Sequence, residues 1–434
     1  MSKNNNINEL RNFYILQLGQ FISQFGSKIT SYGLIMWVYD KSGSVLSTSA
    51  LTICTLLPSI LLSFISGSFI DGINKKKVML ICNAVETILS VITLALLFSN
   101  MLNMSCLYLI NFTFGVVDSF QDPASNVVIS MIVPKKYYTK ISGIRSFATA
   151  FNTTFAPTVA SLLYTFLKIE AIIFTDLCTF IFAFMSLLVF VHIPKNIIKG
   201  QQSNLGVIDS CKQGLAYIIN KKDIFHLIIY MAFVNLIAAI YNSNFTPMVL
   251  SRNGNNKYEL GIVLGAIGVA GIFGSLLVTI MKEPKRRVPI IINSMLFSFL
   301  VCNSMLGIGR SYYVWTVAVF LGNSMVPFLT ANVEYFMRTK VPVELQGRVF
   351  SARNTLQYFT IPLGYLIGGI ATDRILNPFM NTTSPLQQIL SRVVGRGSGA
   401  GNALIYVIIA ILGFLGCCLF KADKHIKVLD DRID

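Results

Sequence analysis

The chain contains 434 residues, of which 54% are hydrophobic and 12% are charged, and its formal net charge at pH 7 is +16. Soluble globular domains carry about 25% charged residues, so this composition excludes an ordinary soluble protein. The positive charge does not indicate nucleic-acid binding, because the basic residues lie in short loops between apolar segments and form no face interleaved with aromatic side chains.

Twelve apolar segments organise nearly the whole chain. Each is about 18 to 27 residues long, enough to cross roughly 30 Å of hydrocarbon as a helix. They lie at residues 13–39, 48–70, 78–98, 105–131, 142–166, 171–193, 224–250, 259–281, 288–308, 312–337, 349–371 and 403–420. The sequence therefore predicts an all-α membrane protein with twelve transmembrane helices.

The basic residues predict the orientation of these segments. If both termini are cytoplasmic, 26 of the 35 Lys and Arg residues lie in inner loops and tails and 8 in outer loops, with Lys28 inside the first segment. Inner loops of membrane proteins carry the excess of Lys and Arg. We therefore expect a multi-pass protein of the cytoplasmic membrane with both termini in the cytoplasm.

The sequence contains no pattern typical of an enzyme or a metalloprotein. The eight cysteines include no CxxC pair. The three histidines, His192, His226 and His425, lie at the cytoplasmic ends of segments, so we expect them not to cluster and to have structural roles at the interface. We find no phosphate-binding loop, nucleophile elbow or metalloprotease motif. No enzymatic activity, catalytic residue, cofactor or metal site is expected.

A polar break divides the twelve segments six and six. We predict an N-terminal six-helix bundle at 1–193, a cytoplasmic linker at 194–223, and a C-terminal six-helix bundle at 224–434. Helical spacing of apolar residues predicts an amphipathic helix within the linker, at Ile208, Cys211, Leu215, Ile218 and Ile219.

Internal similarity supports this division. Residues 115–134 and 322–342 each form the fourth segment of their half, and each ends in Val-Pro before a basic loop. Two pseudo-symmetric bundles with a substrate site between them near mid-membrane are characteristic of secondary transporters.

Four stretches carry a more specific resemblance. They are residues 19–44, 56–80, 119–134 and 341–369, and the last contains the element QGRVFS after a Val-Pro. On these residues the chain resembles the major facilitator superfamily, and within it the macrolide-efflux branch of drug:proton antiporters. The resemblance covers nearly all of the chain and implies the major facilitator fold.

The resemblance also implies a conformational latch in the loop after the second segment. Gly67 and Asp71 match the superfamily pattern, whereas Gly72 replaces its usual Arg. Asp71 is expected to act against the start of the eleventh helix around Ser351. The other residues assigned to the latch are Lys75, Lys76, Lys77, Gly347 and Arg348.

Prolines inside the segments predict helix kinks at Pro123, Pro157, Pro327 and Pro362. The usual antiporter motif of the fifth segment, Gly-Pro followed by paired Gly, is reduced here to Ala156-Pro157-Thr158-Val159-Ala160. A packing kink and a mechanistic hinge both remain open at Pro157, and antiport is implied by the family more than by this motif.

Ionisable residues within the apolar segments are the main functional candidates, because a charge at the bilayer centre costs at least roughly 2.5 to 3.5 kcal/mol. Asp118 and Asp122 share one helical face, and two neighbouring carboxylates in a low dielectric ionise together only at high cost. The alternative is that Lys28 or Arg145 neutralises one of them permanently as a structural ion pair. The proton-coupling candidates are Asp118, Asp122, Glu86 and Glu334.

Candidate substrate contacts follow from the aromatic residues, although most Phe side chains in any membrane bundle face lipid or other helices. Lys28 is either a counter-ion for Asp118 or a substrate contact. The remaining candidates for a cavity that binds a bulky compound are Phe25, Tyr32, Phe155, Tyr241, Phe245 and Tyr358.

The outer loop at residues 373–402 is unusually long. It places one apolar stripe at helical spacing, formed by Leu386, Ile389, Leu390, Val393 and Val394. Such a helix could lie on the outer leaflet or cover the outer mouth, and the interfacial position is favoured.

Together these features predict a secondary active efflux carrier that exports amphipathic organic compounds, such as macrolide-like drugs or related metabolites or peptides, by proton antiport with alternating access. Two alternatives remain: an importer or uniporter for a small solute with the same fold, and a non-transporting membrane sensor or partner protein. The expected partners are the lipid bilayer, a small amphipathic substrate and protons. We expect a monomer that binds no nucleic acid.

Overall fold

The structure is a computed structural model that describes residues 2–71, 73–134, 137–190, 207–282 and 284–431. All regular secondary structure within these ranges is helical. The helices are α1 (Ser2–Ser42), α2 (Val45–Asp71), α3 (Lys75–Phe98), α4 (Met104–Ile132), α5 (Tyr138–Phe190), α6 (Val207–Asn220), α7 (Lys222–Arg252), α8 (Lys257–Ile280), α9 (Val288–Phe297), α10 (Ser304–Ile308), α11 (Tyr312–Ser324), α12 (Val326–Lys340), α13 (Val343–Tyr358), α14 (Thr360–Ile370), α15 (Asn377–Met380), α16 (Pro385–Val394), α17 (Ala400–Ala422) and α18 (Lys424–Asp431). Two π-helical segments, Ser298–Asn303 and Ala371–Leu376, join α9 to α10 and α14 to α15.

The predicted membrane segments correspond to these helices. Eight of the described helical segments are long and apolar enough to cross a membrane by length and composition alone. One of them contains both the fifth and the sixth predicted segments, because α5 runs through the intervening loop and turns at Lys168, where φ is 62°. The first, fourth and eleventh segments correspond to α1, α4 and α13 with α14. The prediction of an all-α, twelve-helix membrane fold is confirmed.

The chain forms two compact units. The first comprises Met1–Val38 and Leu51–Gln202, and the second comprises Tyr39–Ala50 and Ser203–Asp434. The second unit therefore includes the end of α1, the start of α2 and the link between them, as well as the C-terminal part of the chain. The bundle boundaries proposed from the sequence remain predictions.

In the first unit, glycines recur every seven residues along α1, at Gly19, Gly26 and Gly33. A Cβ atom added at Gly26 would collide with the side chain of Thr179 in the second half of α5, and a Cβ atom at either of the other two would also press on α5. Small residues let membrane helices approach closely, since packing rather than hydrophobic burial drives their association in lipid. This seam fixes α1 against the buried face of α5.

In the second unit, α7 packs along α14, and α8 packs along α11. Gly364 and Gly368 make the first contact possible, because a Cβ atom at Gly364 would lie 2.7 Å from the carbonyl oxygen of Leu236. Just beyond, the Thr372 hydroxyl in the second π-helical segment donates a 2.6 Å hydrogen bond to Oδ1 of Asn244, and both side chains are buried. The α7–α14 contact is therefore both close and polar.

The amphipathic helix predicted in the linker corresponds to α6. Ile218 is fully buried in the second unit, whereas Leu215 and Ile219 are exposed, and the side chains of Ile208 and Cys211 lie outside the described residues. The Tyr217 hydroxyl donates to the carbonyl of Lys340 at the end of α12. The helix thus lies on the second unit with part of its apolar face uncovered.

The loop at 373–402 differs in part from its prediction. The eleventh membrane helix continues to Met380 through the π-helical segment, because the helical register shifts there without ending the helix. Of the predicted stripe on α16, Leu386, Ile389 and Val393 are exposed, Leu390 is partly buried and Val394 is buried, and the polar residues Gln387 and Ser391 are also buried. A helix that packs its polar residues on protein and leaves most of its apolar stripe open has the arrangement of an interfacial helix, which stays a prediction.

Two of the three histidines lie together, contrary to the sequence-based expectation. The ring centroids of His226 and His425 are 4.6 Å apart, and Nδ1 of His226 lies 2.5 Å from a carboxylate oxygen of Asp423. The sequence could not indicate this contact, because nearly two hundred residues separate the two histidines. Burial opposes ionisation of Asp423, but hydrogen bonds from His226 and from the backbone of His425, together with the charges of both imidazoles, lower its pKa below the ordinary value.

This lowered pKa gives a pH-dependent contribution to stability. Asp423 stabilises the folded state fully above its pKa in the unfolded chain, and the stabilisation is lost as pH falls through the lower folded-state value. We expect Asp423→Asn to lower the thermal unfolding midpoint in detergent at pH 7, with a difference from wild type that shrinks only below about pH 4. Asp223→Asn, in the first turn of α7, is the matched control. A difference that does not change with pH would contradict the assignment.

Candidate functional site

Four carboxylates from three helices of the first unit lie within electrostatic range of one another. Glu86 on α3 interacts with Asp118 and Asp122 on α4 and with Asp176 on α5. The side chains of Glu86 and Asp176 are 5% and 2% exposed, whereas Asp118 and Asp122 are open to the surface of the unit. We call these four residues the carboxylate cluster.

Two cations lie near the open side of the carboxylate cluster. Lys28 on α1 interacts with both Asp118 and Asp122, and Arg145 on α5 interacts with Asp122. In the described part of the chain, neither aspartate has a Lys or Arg nitrogen within 4.0 Å. The cations therefore act on the two aspartates over distances longer than a direct ion pair.

Asp176 is the member that the sequence analysis missed. Its Oδ1 accepts a hydrogen bond of 3.5 Å from the hydroxyl of Ser27, and a Cβ atom at Gly26 would lie only 3.1 Å from that oxygen. The glycine seam of α1 therefore leaves room for this carboxyl between two helices. The available signal was composition, because Asp176 is the one Asp, Glu, Lys or Arg in the apolar segment 171–193.

Amide side chains connect the helices around the carboxylate cluster. Gln20 and Ser125 exchange hydrogen bonds of 2.7 and 2.9 Å between α1 and α4. Gln121, next to Asp122, donates a 2.8 Å hydrogen bond to Asn83 on α3, one turn before Glu86. Buried hydrogen bonds of this kind hold α4 in register with both neighbours. They fix the backbone positions from which the carboxylates project.

Glu334 has different surroundings from the other proton-coupling candidates. It lies in the second unit, where its two carboxylate oxygens pair with Arg338 at 2.8 Å and Arg353 at 3.4 Å. The structure thus groups Glu86, Asp118 and Asp122 with Asp176, and places Glu334 in a separate ion-pair network.

The aromatic candidates also separate into two sets. In the first unit, Phe25 and Phe155 both contact Phe151, with ring centroids 5.7 and 4.5 Å apart, in an aromatic group on α1 and α5 that includes Phe21 and Phe147. Phe147 and Phe155 are exposed, so this group presents an apolar surface. Tyr32 lies farther along α1 and is partly buried.

In the second unit, Tyr241 lines a cavity and stacks on Phe245, with ring centroids 5.4 Å apart. Phe245 itself is buried. Tyr358, at the end of α13, is exposed and is not among the residues that line this cavity. Of these three candidates, Tyr241 has the clearest access to a binding space.

The structure describes only part of the predicted latch. The side-chain surroundings of Gly67, Asp71, Gly347 and Ser351 lie outside the described residues, as does Gly72 entirely. Lys75, Lys76 and Lys77 form the first turn of α3, where the Asn74 side chain accepts from the backbone amides of Lys76 and Lys77. Nζ of Lys76 donates to the carbonyl of Leu188, and Arg348 donates to Gln213 of α6. The latch function stays a prediction.

The four prolines occupy two kinds of position. Pro123 and Pro157 lie inside α4 and α5, which continue through them. Pro327 and Pro362 lie in the first turns of α12 and α14, each directly after a break between helices. A proline in the first turn of a helix leaves no unsatisfied amide, so it is well placed to restart the chain after a break.

Comparisons with known proteins agree with this architecture. The family model of the Major Facilitator Superfamily matches residues 16–365. Macrolide efflux protein A of Streptococcus pyogenes is 23% identical over 369 residues, which are 84% of this chain and 90% of that protein. An uncharacterised MFS-type transporter of Bacillus subtilis is 25% identical over 371 residues, covering 80% and 83% of the two chains. Two solved structures have a similar fold. The nucleoside transporter NupG has a TM-score of 0.69 and is 12% identical, and the match covers 95% of this chain and 99% of that chain. A bacterial homologue of the iron transporter ferroportin has a TM-score of 0.67 and is 13% identical, and the match again covers 95% of this chain and 99% of that chain.

Proposed function

Because this chain belongs to the Major Facilitator Superfamily, we propose that it is a secondary active exporter of amphipathic organic compounds, driven by proton antiport and alternating access. It is a transporter and a multi-pass membrane protein. The proposal has three parts: the chain has no enzymatic activity, it transports its substrate outward, and the coupling ion is the proton. Relatives named macrolide efflux protein support export, and the carboxylate cluster is the observation that supports coupling to protons.

The chemistry of the cluster suits proton exchange. Four acidic side chains face two cations, so repulsion among the carboxylates falls when one of them binds a proton. Glu86 and Asp176 are buried, and Asp118 and Asp122 are open, so a proton can enter at the open side and be shared inward. A carboxyl whose protonation depends on which side of the membrane it faces is the device that a proton-coupled carrier needs.

The aromatic group of α1 and α5 supports an amphipathic substrate. Its exposed rings, Phe147 and Phe155, lie on α5, and it includes Phe25 on α1, three residues before Lys28, so the aromatic group lies near one of the two cations. A compound with an apolar body and a polar or cationic group could contact both the aromatic group and the ionisable side chains.

The decisive experiment measures drug susceptibility and accumulation in an efflux-deficient bacterial host. Expression of the chain should lower the steady-state accumulation of at least one amphipathic compound in a panel that includes macrolides, and a protonophore should restore it. A vector control and a protonophore-treated vector control exclude effects on passive entry. Unchanged accumulation of every compound, or lower accumulation that survives the protonophore, would reject proton-driven export. Uptake of a small nutrient would instead favour the importer.

We also propose residence in the cytoplasmic membrane as a monomer, with both termini in the cytoplasm. Arg286 and Asn255 are exposed and lie in loops after and before α8, so they should be on opposite sides of the membrane. We expect a membrane-impermeant maleimide to label Asn255→Cys but not Arg286→Cys in intact cells, and to label both after permeabilisation. External labelling at position 286 would invert the topology.

A further inference from the structure

The second unit contains a cavity of about 210 Å³ whose lining carries no charged side chain in the described part of the chain. Its walls come from α7, α11, α12 and the segment where α9 passes into the first π-helical turn. Four asparagines from three of these walls face it: Asn235, Asn242, Asn303 and Asn323. We call this space the asparagine cavity. One water occupies roughly 30 Å³ in the liquid, so the cavity has room for a group several times larger.

One buried amide of the asparagine cavity has no protein partner in the described part of the chain. Asn303 is 4% exposed, and its amide makes no hydrogen bond within the described residues, whereas the amide of Asn242 is exposed. The hydroxyl of Tyr241 is buried beside the Asn323 side chain. Buried polar groups are normally hydrogen-bonded, and an unsatisfied one costs about 1 to 3 kcal/mol. The unsatisfied amide of Asn303 therefore needs a molecule inside the cavity to complete its hydrogen bonds.

The backbone adds a second indication. The π-helical segment Ser298–Asn303 shifts the helical register, and four of its six residues, Ser298, Phe299, Cys302 and Asn303, line the cavity. Isolated π-helical turns inside α-helices occur frequently at functional sites. Here the turn directs a buried amide and an aromatic ring at the same space.

We propose that the asparagine cavity binds an uncharged group of the transported compound that both donates and accepts hydrogen bonds, such as a hydroxyl or an amide. Asparagine amides and a tyrosine hydroxyl offer donors and acceptors but no net charge. An ionised group would lose its hydration there without a counter-charge, which is costly. That the bound compound is also the transported one rests on the proposed function. In this arrangement the first unit carries the titratable groups, and the second recognises neutral polarity.

Cys302 allows a direct test, because it lies in the cavity wall. Purified full-length protein in detergent is treated with N-ethylmaleimide, which is neutral, or with a thiosulfonate reagent that carries a sulfonate, and modification of Cys302 is followed by mass spectrometry of its peptide. We expect the neutral reagent to modify Cys302 and the anionic reagent to do so much more slowly. Chloramphenicol, an uncharged compound with hydroxyl and amide groups, should slow the neutral reaction. Exposed Cys178 serves as the control for reagent activity.

Variants connect the protection to the asparagines. Asn303→Leu and Asn242→Leu should each raise the chloramphenicol concentration that protects Cys302 by about three- to tenfold, the loss expected for one hydrogen bond. Asn293→Leu, on α9 outside the cavity lining, should leave it unchanged. Asn242 is exposed, so its variant tests the proposal even if Asn303→Leu fails to fold.

Three results would overturn the proposal. They are equal modification of Cys302 by both reagents, no modification of Cys302 while Cys178 reacts, and protection that is absent or insensitive to both cavity variants. Protection measured without a proton gradient does not depend on export. Binding without export in cells would therefore reject the proposed function alone, whereas export without protection would reject the asparagine cavity alone.

Discussion

Replacement of Asp118 with asparagine should reduce export driven by a pH gradient to the level of empty vesicles, while the protein still folds and inserts. Asparagine keeps the size of the side chain but cannot exchange a proton. Asp118 is open to the surface of its unit and interacts with Glu86, Asp122, Asp176 and Lys28, so it joins the buried carboxylates to the open ones. Without this carboxyl, a proton that enters at the open side of the cluster should no longer reach the buried Glu86 and Asp176.

Proteoliposomes with an imposed pH gradient and a substrate found in the accumulation panel provide the measurement. Asp118→Asn should retain slow exchange of substrate down its own gradient, since alternating access does not itself require this carboxyl. Glu170→Gln is a matched control, because Glu170 lies on the same helix as Asp176 but is not among the acidic groups that interact with Glu86. Wild-type accumulation against the gradient by Asp118→Asn, with unchanged pH dependence, would move the coupling role to Glu86, Asp122 or Asp176.

The sequence predicted the membrane helices well, because the length and polarity of an apolar segment are local properties of the chain. It also identified Glu86, Asp118 and Asp122, since a carboxylate within an apolar segment is conspicuous without a structure. It could not show that Asp176 joins them, because that depends on how closely α1, with its glycines at seven-residue spacing, packs on the second half of α5.

Contacts between distant parts of the chain were the least predictable features. The His226–Asp423–His425 group joins the start of α7 to the end of α17, and no pattern in either segment indicates the other. The asparagine cavity likewise takes its amides from three separate helical regions. The π-helical segments were missed for a different reason: one inserted residue in a helical turn leaves the apolar pattern almost unchanged.

Alanine in place of Gly274 should lower the thermal stability of the protein, whereas alanine in place of Gly271 should not, although both glycines lie on α8, less than one turn apart. A Cβ atom at Gly274 would collide with the carbonyl oxygen of Ser324 and lie 3.1 Å from Cγ of Pro327. A Cβ atom at Gly271 would meet nothing within 4 Å. The two substitutions therefore differ in packing and are the same in chemistry.

The magnitudes decide the sign at each position. Replacing a glycine inside a helix by alanine stabilises it by roughly 0.5 to 1 kcal/mol, because less backbone freedom is lost on folding. Overpacking typically costs about 1 to 3 kcal/mol, and at Gly274 the obstructing atom belongs to the backbone where α11 ends and α12 begins, so it cannot rotate away. We expect a lower unfolding midpoint in detergent for Gly274→Ala and an equal or higher one for Gly271→Ala. If the two shifts have the same sign and size, α8 does not pack against the α11–α12 junction as closely as the structure places it, and the wall of the asparagine cavity formed by Gly322, Asn323 and Val326 would lose its support.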